Sequence, residues 1–475
     1  SMKQGRDLVT APIAPALLMF ALPTLGSSVL QSANGSIDAV WVGRLLGENA
    51  LAATTNGNLI MFLLTAFVFG FGMASTILIG QSIGRSDLAG AKEVVGTAIG
   101  SFVPLALLIA AGGWFLAPQL LALLGTPQEI TMLAQDFLRV TFFAMPGILM
   151  QTMLMMALRG AGDSVTPLIF MALAAVLDVL LNPVFILGLG PAPEMGIAGS
   201  AFAMALANYT SLAAMLVYLY RRRHPLALRG AELRLLVPAR QVLGLMLRKG
   251  LPIGIQMVVV SSSMLAMMTL VNAEGVATTA AFGATQQLWT YVQMPAMALG
   301  AAVSAMVAQN IGAGRWDRVS RITRTGILFN LMMTGGLVLI LTLVERQALG
   351  LFLGTDSPAL QIGVHIGRIA TWGFILFGVT MVLFGAVRAN GQVIWPLIIL
   401  FISLYPVRLG VAVGLRGWLG PDALWISFPV AMLTTVLMAS ALYLQGGWRR
   451  SPQMRIAPAA PPAPETVPAP LMAEK

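Results

Sequence analysis

The sequence predicts an all-α membrane protein with twelve transmembrane helices, arranged as two six-helix lobes that are related by a parallel internal repeat. Three observations predict this fold: the composition, the number of long apolar runs, and a set of motifs that recurs at a nearly constant spacing. Of the 475 residues, 57% are hydrophobic and only 10% are charged, whereas soluble domains carry about a quarter charged residues. An ordinary soluble globule is therefore excluded. The chain has no cysteine, which excludes a disulfide framework or a thiol nucleophile.

Twelve apolar runs are long enough to cross a bilayer, which takes about 20 residues of helix. In chain order they cover about 13–40, 52–80, 94–117, 130–158, 165–189, 197–220, 251–273, 278–308, 322–344, 362–387, 395–416 and 423–445. The first run is too long for a signal-peptide core and lacks a cleavage site, so we expect a retained helix. When both termini are placed in the cytoplasm, 22 of the 28 Lys and Arg residues fall on the cytoplasmic side. This bias predicts the orientation and the even number of helices.

The runs divide the chain into five parts. They are a cytoplasmic N-terminus at 1–12, an N-lobe with helices 1–6 at 13–220, a basic cytoplasmic linker at 221–250, a C-lobe with helices 7–12 at 251–445, and a cytoplasmic tail at 446–475. The tail carries seven prolines and too little apolar surface to fold, so we expect it to be disordered. The net charge of +10 comes from residues between the apolar runs, which favours contact with anionic lipid headgroups over nucleic acid.

Short motifs recur in the two halves at an offset of 228 or 229 residues. They are Leu-Pro at 22–23 and 251–252, Gln-x-Ile-Gly at 81–84 and 309–312, and an Arg, Gly, Pro set at 159, 162 and 167 and again at 388, 391 and 396. Because six helices separate the copies, the two halves share one orientation. Parallel repeats of this kind are typical of transporters that bind substrate between their halves and work by alternating access.

Two carboxylates lie inside apolar runs, Asp38 in helix 1 and Asp178 in helix 5. Ionisable residues within a span are costly and mark functional sites by default. An apolar setting favours the uncharged form of a carboxyl group, so such a group can carry a proton or be neutralised by bound Na⁺. We therefore predict Asp38 and Asp178 as the coupling residues. The alternatives are that Asp38 is wetted at the outer surface and that Asp178 is only a structural partner within helix 5.

Helical spacing gives each acid polar neighbours. Gln31, Asn34 and Asp38 share one face of helix 1, and Asp178 and Asn182 are four residues apart in helix 5. We predict Asn34 and Asn182 as partners of the acids.

Pro23 lies about two turns before this polar face of helix 1. A proline removes a backbone hydrogen bond and can kink a membrane helix. We predict a kink at Pro23 that lets the helix bend when Asp38 is protonated.

Polar, aromatic and flexible residues of helices 1, 7 and 8 are candidates for substrate contact. They are Gln31, Gln256, Met257, Gln286, Gln287 and Tyr291. Thioethers suit promiscuous apolar binding, although helix packing or lipid contact is the better explanation for any single methionine. Arg408 in helix 11 either neutralises a cluster of carbonyl groups or lies near the outer headgroups.

The chain resembles the multidrug and toxic compound extrusion (MATE) family over about residues 13–445. The segments that carry the resemblance are Pro-Thr-Leu at 23–25, Asp-Ala-Val-Trp-Val-Gly at 38–43, Leu-Arg-Gly-Ala-Gly-Asp-Ser-Val-Thr-Pro at 158–167, Leu-Asp-Val-Leu-Leu-Asn-Pro at 177–183, Gly-Ile-Ala-Gly-Ser-Ala at 196–201 and Gln-Asn-Ile-Gly-Ala-Gly at 309–314. Each segment is weak alone, but their order, spacing and duplication are specific together. The resemblance implies an efflux antiporter of the bacterial inner membrane with a V-shaped central cavity, driven by H⁺ or Na⁺. The lack of buried acids in the second half is similar to the DinF-like branch.

The family's first-lobe cation site has an acid in helix 1, an Asn followed four residues later by an acid in helix 5, and a Thr in helix 6. Asp38 matches the first position. Asp178 and Asn182 occupy the helix 5 pair in reverse order, and Met204 takes the Thr position. Because Na⁺ needs several hard oxygen ligands and a proton needs one tuned acid, we expect H⁺ as the coupling ion, with Na⁺ as the alternative.

We therefore expect a multidrug efflux antiporter, and no enzyme, that exports amphipathic and cationic compounds in exchange for H⁺. The alternatives are a Na⁺-coupled antiporter of the same fold and a lipid-linked saccharide flippase, which should show more cationic residues facing the cavity. His224 and His365 are far apart in the chain, and no phosphate-binding loop or catalytic set is present. We expect no metal, no cofactor and no nucleic-acid partner. The expected partners are the lipid bilayer and small organic cations, with the chain acting as a monomer.

Overall fold

The computed structural model describes residues 8–450 of the chain. Over these residues the protein is helical, without a β-strand. The α-helices are α1 (Ile13–Leu46), α2 (Glu48–Gly84), α3 (Leu88–Leu123), α4 (Thr131–Gly160), α5 (Val165–Leu187), α6 (Ile197–Arg221), α7 (Arg240–Asn272), α8 (Val276–Gly312), α9 (Trp316–Leu353), α10 (Pro358–Ala370), α11 (Gly373–Arg388), α12 (Ile394–Ile402), α13 (Arg408–Gly414), α14 (Arg416–Leu419) and α15 (Asp422–Gln445). Three short 3₁₀ helices cover Gln128–Ile130, Gly230–Leu236 and Gly447–Arg450, and one π-helical turn covers Ser403–Val407.

The twelve predicted spans are present in the described part of the chain. Eleven helical segments are long and apolar enough to cross a membrane, and α10 with α11 gives a twelfth that is bent by 47° at a short break. The eleventh span, Ile394–Gly414, is α12, the π-helical turn and α13 in one run. The prediction of an all-α membrane protein with two six-helix lobes is confirmed.

Several helices extend beyond the apolar runs that predicted them. α9 covers Trp316–Leu353 in place of 322–344, and α7 begins at Arg240, within the predicted linker 221–250. With 33 residues, α7 is about 50 Å long, well beyond the ~30 Å hydrocarbon core. Hydropathy detects only the part of a helix that lies in lipid, and Arg and Lys are good helix formers. The last eleven residues of the predicted linker are therefore helical, which corrects its boundary.

The rest of the linker is held against the N-lobe. Its 3₁₀ helix Gly230–Leu236 contacts α3, and Lys92 Nζ lies 2.7 Å from the carboxylate of Glu232. The hydrogen bond from Lys92 lowers the pKa of Glu232 below its ordinary value. Thr97 Oγ1 accepts a hydrogen bond from the main-chain N–H of Ala239 at 3.2 Å. The connection between the lobes is thus docked rather than free.

The two lobes meet where α2 and α8 end, and we call this end of the molecule the base. Gly84 packs against the backbone of Gln309, and Gly312 packs against the backbone of Gln81. A Cβ atom at either glycine would overlap a main-chain carbonyl of the opposite helix. Close approach of two membrane helices through small residues is a common packing mode, and here it occurs twice in repeat-related positions.

The glutamines of the same motif link the lobes in the same symmetric way. Gln81 Nε2 donates to the main-chain oxygen of Ala389 in the C-lobe at 2.7 Å. Gln309 Nε2 donates to the main-chain oxygen of Gly160 in the N-lobe at 3.1 Å. The repeated Gln-x-Ile-Gly motif therefore builds both halves of the contact at the base.

α1 is in contact with both lobes. Its first turns, residues 13–21, share an apolar cluster with residues 299–311 of α8. Beyond that segment, α1 packs against α5 in the N-lobe. α1 therefore links the two lobes.

The predicted tail boundary at 446 is corrected by the structure. Gly447–Arg450 forms a 3₁₀ helix, and the side chain of Trp448 is 1% exposed. Asn390 Nδ2 donates to the main-chain oxygen of Trp448 at 2.6 Å. The predicted boundary lies where the apolar helix pattern ends, so it did not include the buried Trp448. Residues 451–475, and residues 1–7 of the predicted N-terminus, lie outside the described part of the chain.

Candidate functional site

Four polar side chains meet between α1 and α5, and we call them the acid–amide site: Asn34, Asp38, Asp178 and Asn182. Asn34 Nδ2 donates to Asp178 Oδ2 at 3.0 Å. Asn182 Nδ2 donates to Asp38 Oδ1 at 3.1 Å, and it also lies 3.0 Å from Asp178 Oδ1. The structure thus brings together all four predicted residues, and one amide bridges the two acids.

The two helices contribute different degrees of burial to the site. Asp178 and Asn182 on α5 are 1% and 0% exposed, whereas Asn34 and Asp38 on α1 are half-buried. α1 therefore forms the accessible wall of the site, and α5 forms its closed wall.

The helices place acids opposite amides. The two hydrogen bonds between α1 and α5 each join residues that are 144 positions apart, so the two i, i+4 pairs lie in register. Asn34 faces Asp178 at one level, and Asn182 faces Asp38 at the next. In helix 5, the order of Asp178 and Asn182 is the reverse of the family pattern. With this order, each carboxylate accepts a hydrogen bond from an amide of the opposite helix.

Two amide oxygens of the site accept no hydrogen bond from the described residues. Asn34 Oδ1 and Asn182 Oδ1 are buried without a hydrogen-bond partner in the described part of the chain. Amide and carboxylate oxygens are suitable ligands for hard cations, and they also accept a hydrogen bond from a protonated carboxyl group. Met204, at the family's Thr position, supplies no side-chain oxygen.

α1 continues as one helix through Pro23. The main-chain oxygen of Pro23 accepts a hydrogen bond from Ser27 Oγ at 3.1 Å. The helix has no break at this proline, so the bending of α1 stays a prediction about a second conformation.

The six predicted substrate contacts do not form one cluster. Gln256 is 3% exposed, and its Nε2 donates to the main-chain oxygen of Val393 at 3.1 Å while its Oε1 accepts from Arg388. Gln256 therefore stabilises the inside of the C-lobe, and its position does not favour substrate contact. The remaining five are exposed (Gln31, Gln287 and Tyr291) or half-buried (Met257 and Gln286).

A cavity of about 150 Å³ lies inside the C-lobe, and we call it the C-lobe cavity. Its polar and aromatic lining residues are Gln286, Trp289, Thr290, Gln293, Phe374, Phe377, Thr380, Arg408, Phe428 and Thr435. Of the predicted substrate contacts, Gln286 lines it. The polar and aromatic run at 286–291 of α8 was a usable signal. The lining residues from α11, α13 and α15 could not be predicted from the sequence, because their meeting depends on how distant helices pack.

Two lobes of six membrane helices, with paired acids inside one lobe, define a membrane transporter of the duplicated type. The sequence model of the MatE family matches this chain twice, over residues 23–184 and 252–413. The two matches are 229 residues apart at both ends, which is the offset of the recurring motifs. The chain belongs to the multidrug and toxic compound extrusion (MATE) family, a family of transporters rather than enzymes.

Individual relatives agree with this assignment. The chain is 35% identical to the probable multidrug resistance protein YoeA of Bacillus subtilis (strain 168) over 443 residues, covering 93% of this chain and 95% of the relative. It is 29% identical to YpnP of the same organism, also a probable multidrug resistance protein, over 93% of this chain and 97% of the relative. A solved structure described as the outward-facing conformation of a multidrug resistance MATE family transporter has a TM-score of 0.85 at 19% identity, covering 95% of this chain and 100% of that chain. This last likeness shows the fold.

Proposed function

We propose that the protein is a secondary active efflux antiporter that exports amphipathic organic cations in exchange for inward-moving H⁺ by alternating access. The observation that carries the proposal is the acid–amide site, in which Asn182 bridges Asp38 and Asp178 within a pair of membrane helices. The relatives named as multidrug resistance proteins support export of diverse compounds.

Two carboxylates that share one amide need a positive charge nearby. Their repulsion in a low-dielectric region is strong when both are ionised, and Asn182 supplies only a dipole. A proton on one acid, or a Na⁺ ion between the two, removes that repulsion. The charge state of the site therefore follows the supply of the ion, as a coupling site requires.

The ligand set favours H⁺ over Na⁺. Met204 contributes no side-chain oxygen, and a proton needs only one of the two acids. The second candidate is Na⁺ coupling, which is favoured by the unpartnered oxygens of Asn34 and Asn182. Either ion would be held by the same four side chains.

α1 offers a physical route from ion binding to lobe movement. The acid–amide site includes one part of α1, and the first turns of α1 pack on α8 of the other lobe. Pro23 lies between these two regions, where the helix is easiest to bend because a proline donates no backbone hydrogen bond. Bending there on protonation of Asp38 would shift the contact at the base and open the space between the two lobes to the other side of the membrane.

We propose that the protein lies in the plasma membrane of a bacterium as a monomer, with both termini in the cytoplasm and without a cofactor. The distribution of Lys and Arg supports this orientation. Reporter fusions after residue 450, active only in one compartment, would test it; a periplasmic signal would reverse the orientation.

The coupling proposal is tested by efflux of a cationic dye from proteoliposomes, with a pH gradient and a Na⁺ gradient imposed separately. We expect the pH gradient alone to drive efflux. We expect Asp38→Asn and Asp178→Asn to reduce it at least about tenfold while the protein still folds, because the neutral amide keeps the shape of the site but carries no proton.

Asp136→Asn is the matched control, since Asp136 is an exposed acid on α4, and its efflux should equal that of the unmodified protein. Efflux that requires Na⁺ would establish the second candidate. Full pH-driven efflux in Asp38→Asn would contradict the role of Asp38 as a coupling residue. If neither gradient moves the dye, a lipid-linked saccharide flippase becomes the leading function.

A further inference from the structure

Arg408 is a cationic side chain inside the C-lobe, and the coupling proposal does not use it. It begins α13 within the eleventh span, is 6% exposed and lines the C-lobe cavity. Its guanidinium carbon lies 4.9 Å from the ring centre of Phe428. The sequence offered two settings for it, a carbonyl cluster or the outer headgroups. The structure adds an aromatic cavity of the lobe, which the side chain of Arg408 lines.

Two donor nitrogens of Arg408 have no partner within the described part of the chain. Its Nε and Nη1 are buried and have no hydrogen-bond partner there, and the same holds for the hydroxyl of Thr380, a second residue that lines the cavity. Of the described residues that line the cavity, none is acidic. A buried guanidinium without a counter-charge is costly, so its presence calls for a ligand that carries the missing charge.

The backbone places Arg408 at this point. The span changes from α12 to a π-helical turn at Ser403–Val407, which contains Pro406, and α13 starts at Arg408. A π-helical turn rotates the following residues relative to a regular α-helix, and such turns are frequent at functional sites. The irregular turn therefore decides the direction in which the arginine leaves the helix.

The other residues that line the cavity indicate the chemistry of the rest of the ligand. Trp289, Phe374 and Phe428 form a connected aromatic group, with ring centres 5.2 Å apart for Trp289 and Phe374 and 5.3 Å apart for Trp289 and Phe428. Gln286 and Gln293 add amides at the α8 side. A volume of about 150 Å³ fits a group of one or two fused aromatic rings.

We propose that the C-lobe cavity binds the acidic group of aromatic organic acids, with Arg408 as the charge partner, Thr380 as a further donor and the aromatic group as the platform. The exported compounds therefore include aromatic anions and zwitterions as well as cations. The export of these compounds rests on the proposed antiport function, whereas their binding does not.

The test compares three probes of the same shape and different charge: naphthoate, the neutral naphthamide and the cationic naphthylmethylamine. Binding to the full-length protein is measured by calorimetry in nanodiscs of phosphatidylcholine, without any ion gradient. We expect naphthoate to bind about tenfold more tightly than naphthamide, because a charge-assisted hydrogen bond to a guanidinium is stronger than a neutral one.

Three variants locate the effect. Arg408→Gln should remove the preference for naphthoate, Arg408→Lys should keep part of it, and Thr380→Val should weaken naphthoate binding several-fold without affecting the charge of the site. Thr380→Val also keeps the test decisive if Arg408→Gln does not fold. Arg346→Gln is the matched control, because Arg346 is an exposed arginine elsewhere in the C-lobe, and it should behave as the unmodified protein.

Three results would overturn the proposal. Equal affinity for the three probes would mean that Arg408 serves only to pack on Phe428, and a preference that survives Arg408→Gln would place the anion elsewhere. Repeating the titration with phosphatidylglycerol in the nanodiscs separates free acids from lipid: loss of naphthoate binding there would assign the cavity to an anionic headgroup and overturn the aromatic-acid assignment. Failure of dye efflux in the coupling experiment leaves these binding results unchanged, so the two proposals fail independently.

Discussion

The pairing of hydrogen bonds in the acid–amide site depends on the order of two residues in α5. Asp178 accepts a hydrogen bond from Asn34, and Asn182 donates to Asp38 while also lying 3.0 Å from Asp178 Oδ1, so both acids share the amide of Asn182. If the two α5 residues were exchanged, two amides would face each other at one level and two carboxylates at the next. The order of residues within one helix therefore decides which side chains of α1 and α5 lie at the same level.

We expect the double variant Asp178→Asn, Asn182→Asp to make the protein dependent on a cation for stability. Two opposed carboxylates in a low-dielectric region destabilise each other unless an ion or a proton lies between them. The melting temperature in detergent should fall by several degrees at alkaline pH in choline buffer, and Na⁺ or acidification should restore it.

The unmodified protein in the same buffers is the control and should respond less to Na⁺. A double variant that is insensitive to both Na⁺ and pH would show that the two levels of the site do not interact in this way.

Among the elements, α2 and α8 decide whether the base can close. Gly84 and Gly312 sit where each helix touches the backbone of the other. A side chain at either position cannot be accommodated by a rotamer change, because the neighbouring atoms are main-chain carbonyls. The glycines thus permit the closed base, whereas Gln81 and Gln309 stabilise it by hydrogen bonds.

We expect Gly312→Val to hold the base open. The chain has no cysteine, so the buried Ser82 at the base can be replaced as Ser82→Cys and used as a reporter. Its rate of modification by a water-soluble maleimide should rise at least about tenfold in the Gly312→Val background, since an opened state replaces a closed one.

Gly283→Val is the matched control, because a Cβ at Gly283 of α8 meets nothing within 4 Å. An unchanged labelling rate in Gly312→Val would mean that the closed base tolerates the added side chain.

The docked linker depends more on packing than on its ion pair. The pKa of Glu232 is lowered by Lys92, so this pair stabilises the docked linker above the ordinary pKa of a glutamate and loses that contribution as the pH falls. Because the side chain of Glu232 is 37% exposed, solvent screens the pair and its contribution at neutral pH is below about 1 kcal/mol. Gly100, in contrast, packs against the main-chain carbonyl of Leu236 without room for a Cβ.

We therefore expect Gly100→Val to increase hydrogen–deuterium exchange of residues 230–239 strongly, and Lys92→Gln to change it little at neutral pH. Mass spectrometry of the exchanged protein measures both variants under one condition. The reverse order of effects would show that charge, rather than close packing, holds the linker.

For the whole molecule, the important property is that the two lobes are similar in fold and different in chemistry. The N-lobe carries the acid–amide site, while the C-lobe encloses Arg408 in an aromatic cavity whose described lining residues include no acid. Since the lobes touch at the base and α1 contacts both, the proposed ion binding in one lobe and the proposed substrate binding in the other would act on one interface.

We expect the ends of the lobes opposite the base to approach each other when the base opens. Spin labels at Asn49→Cys and Val276→Cys, which follow repeat-related turns at Gly47 and Gly275, report their separation by double electron–electron resonance. Asp38→Asn, which imitates the neutral acid, should shift the distance distribution towards shorter values.

Gly312→Val should shift the distribution in the same direction, because it opens the base without changing the ion site. Identical distributions in all three proteins would contradict a rocking motion of the lobes about the base.

The sequence by itself determined the class of fold, the number of spans, the duplication and the four residues of the acid–amide site. It did so because lipid enforces long apolar helices, makes intramembrane charges rare, and makes residues four apart on one helix neighbours. These are local rules, and a pattern within one helix is enough to apply them.

Only the tertiary structure decided which helices meet. It paired α1 with α5 so that acids face amides, assigned Gln256 to the inside of the C-lobe, extended α7 into the predicted linker and ordered Trp448 beyond the last span. It also placed Arg408 among aromatic rings contributed by α8, α11 and α15. These facts depend on side chains that are far apart in the chain and meet only by packing, where neither hydropathy nor helical period carries information.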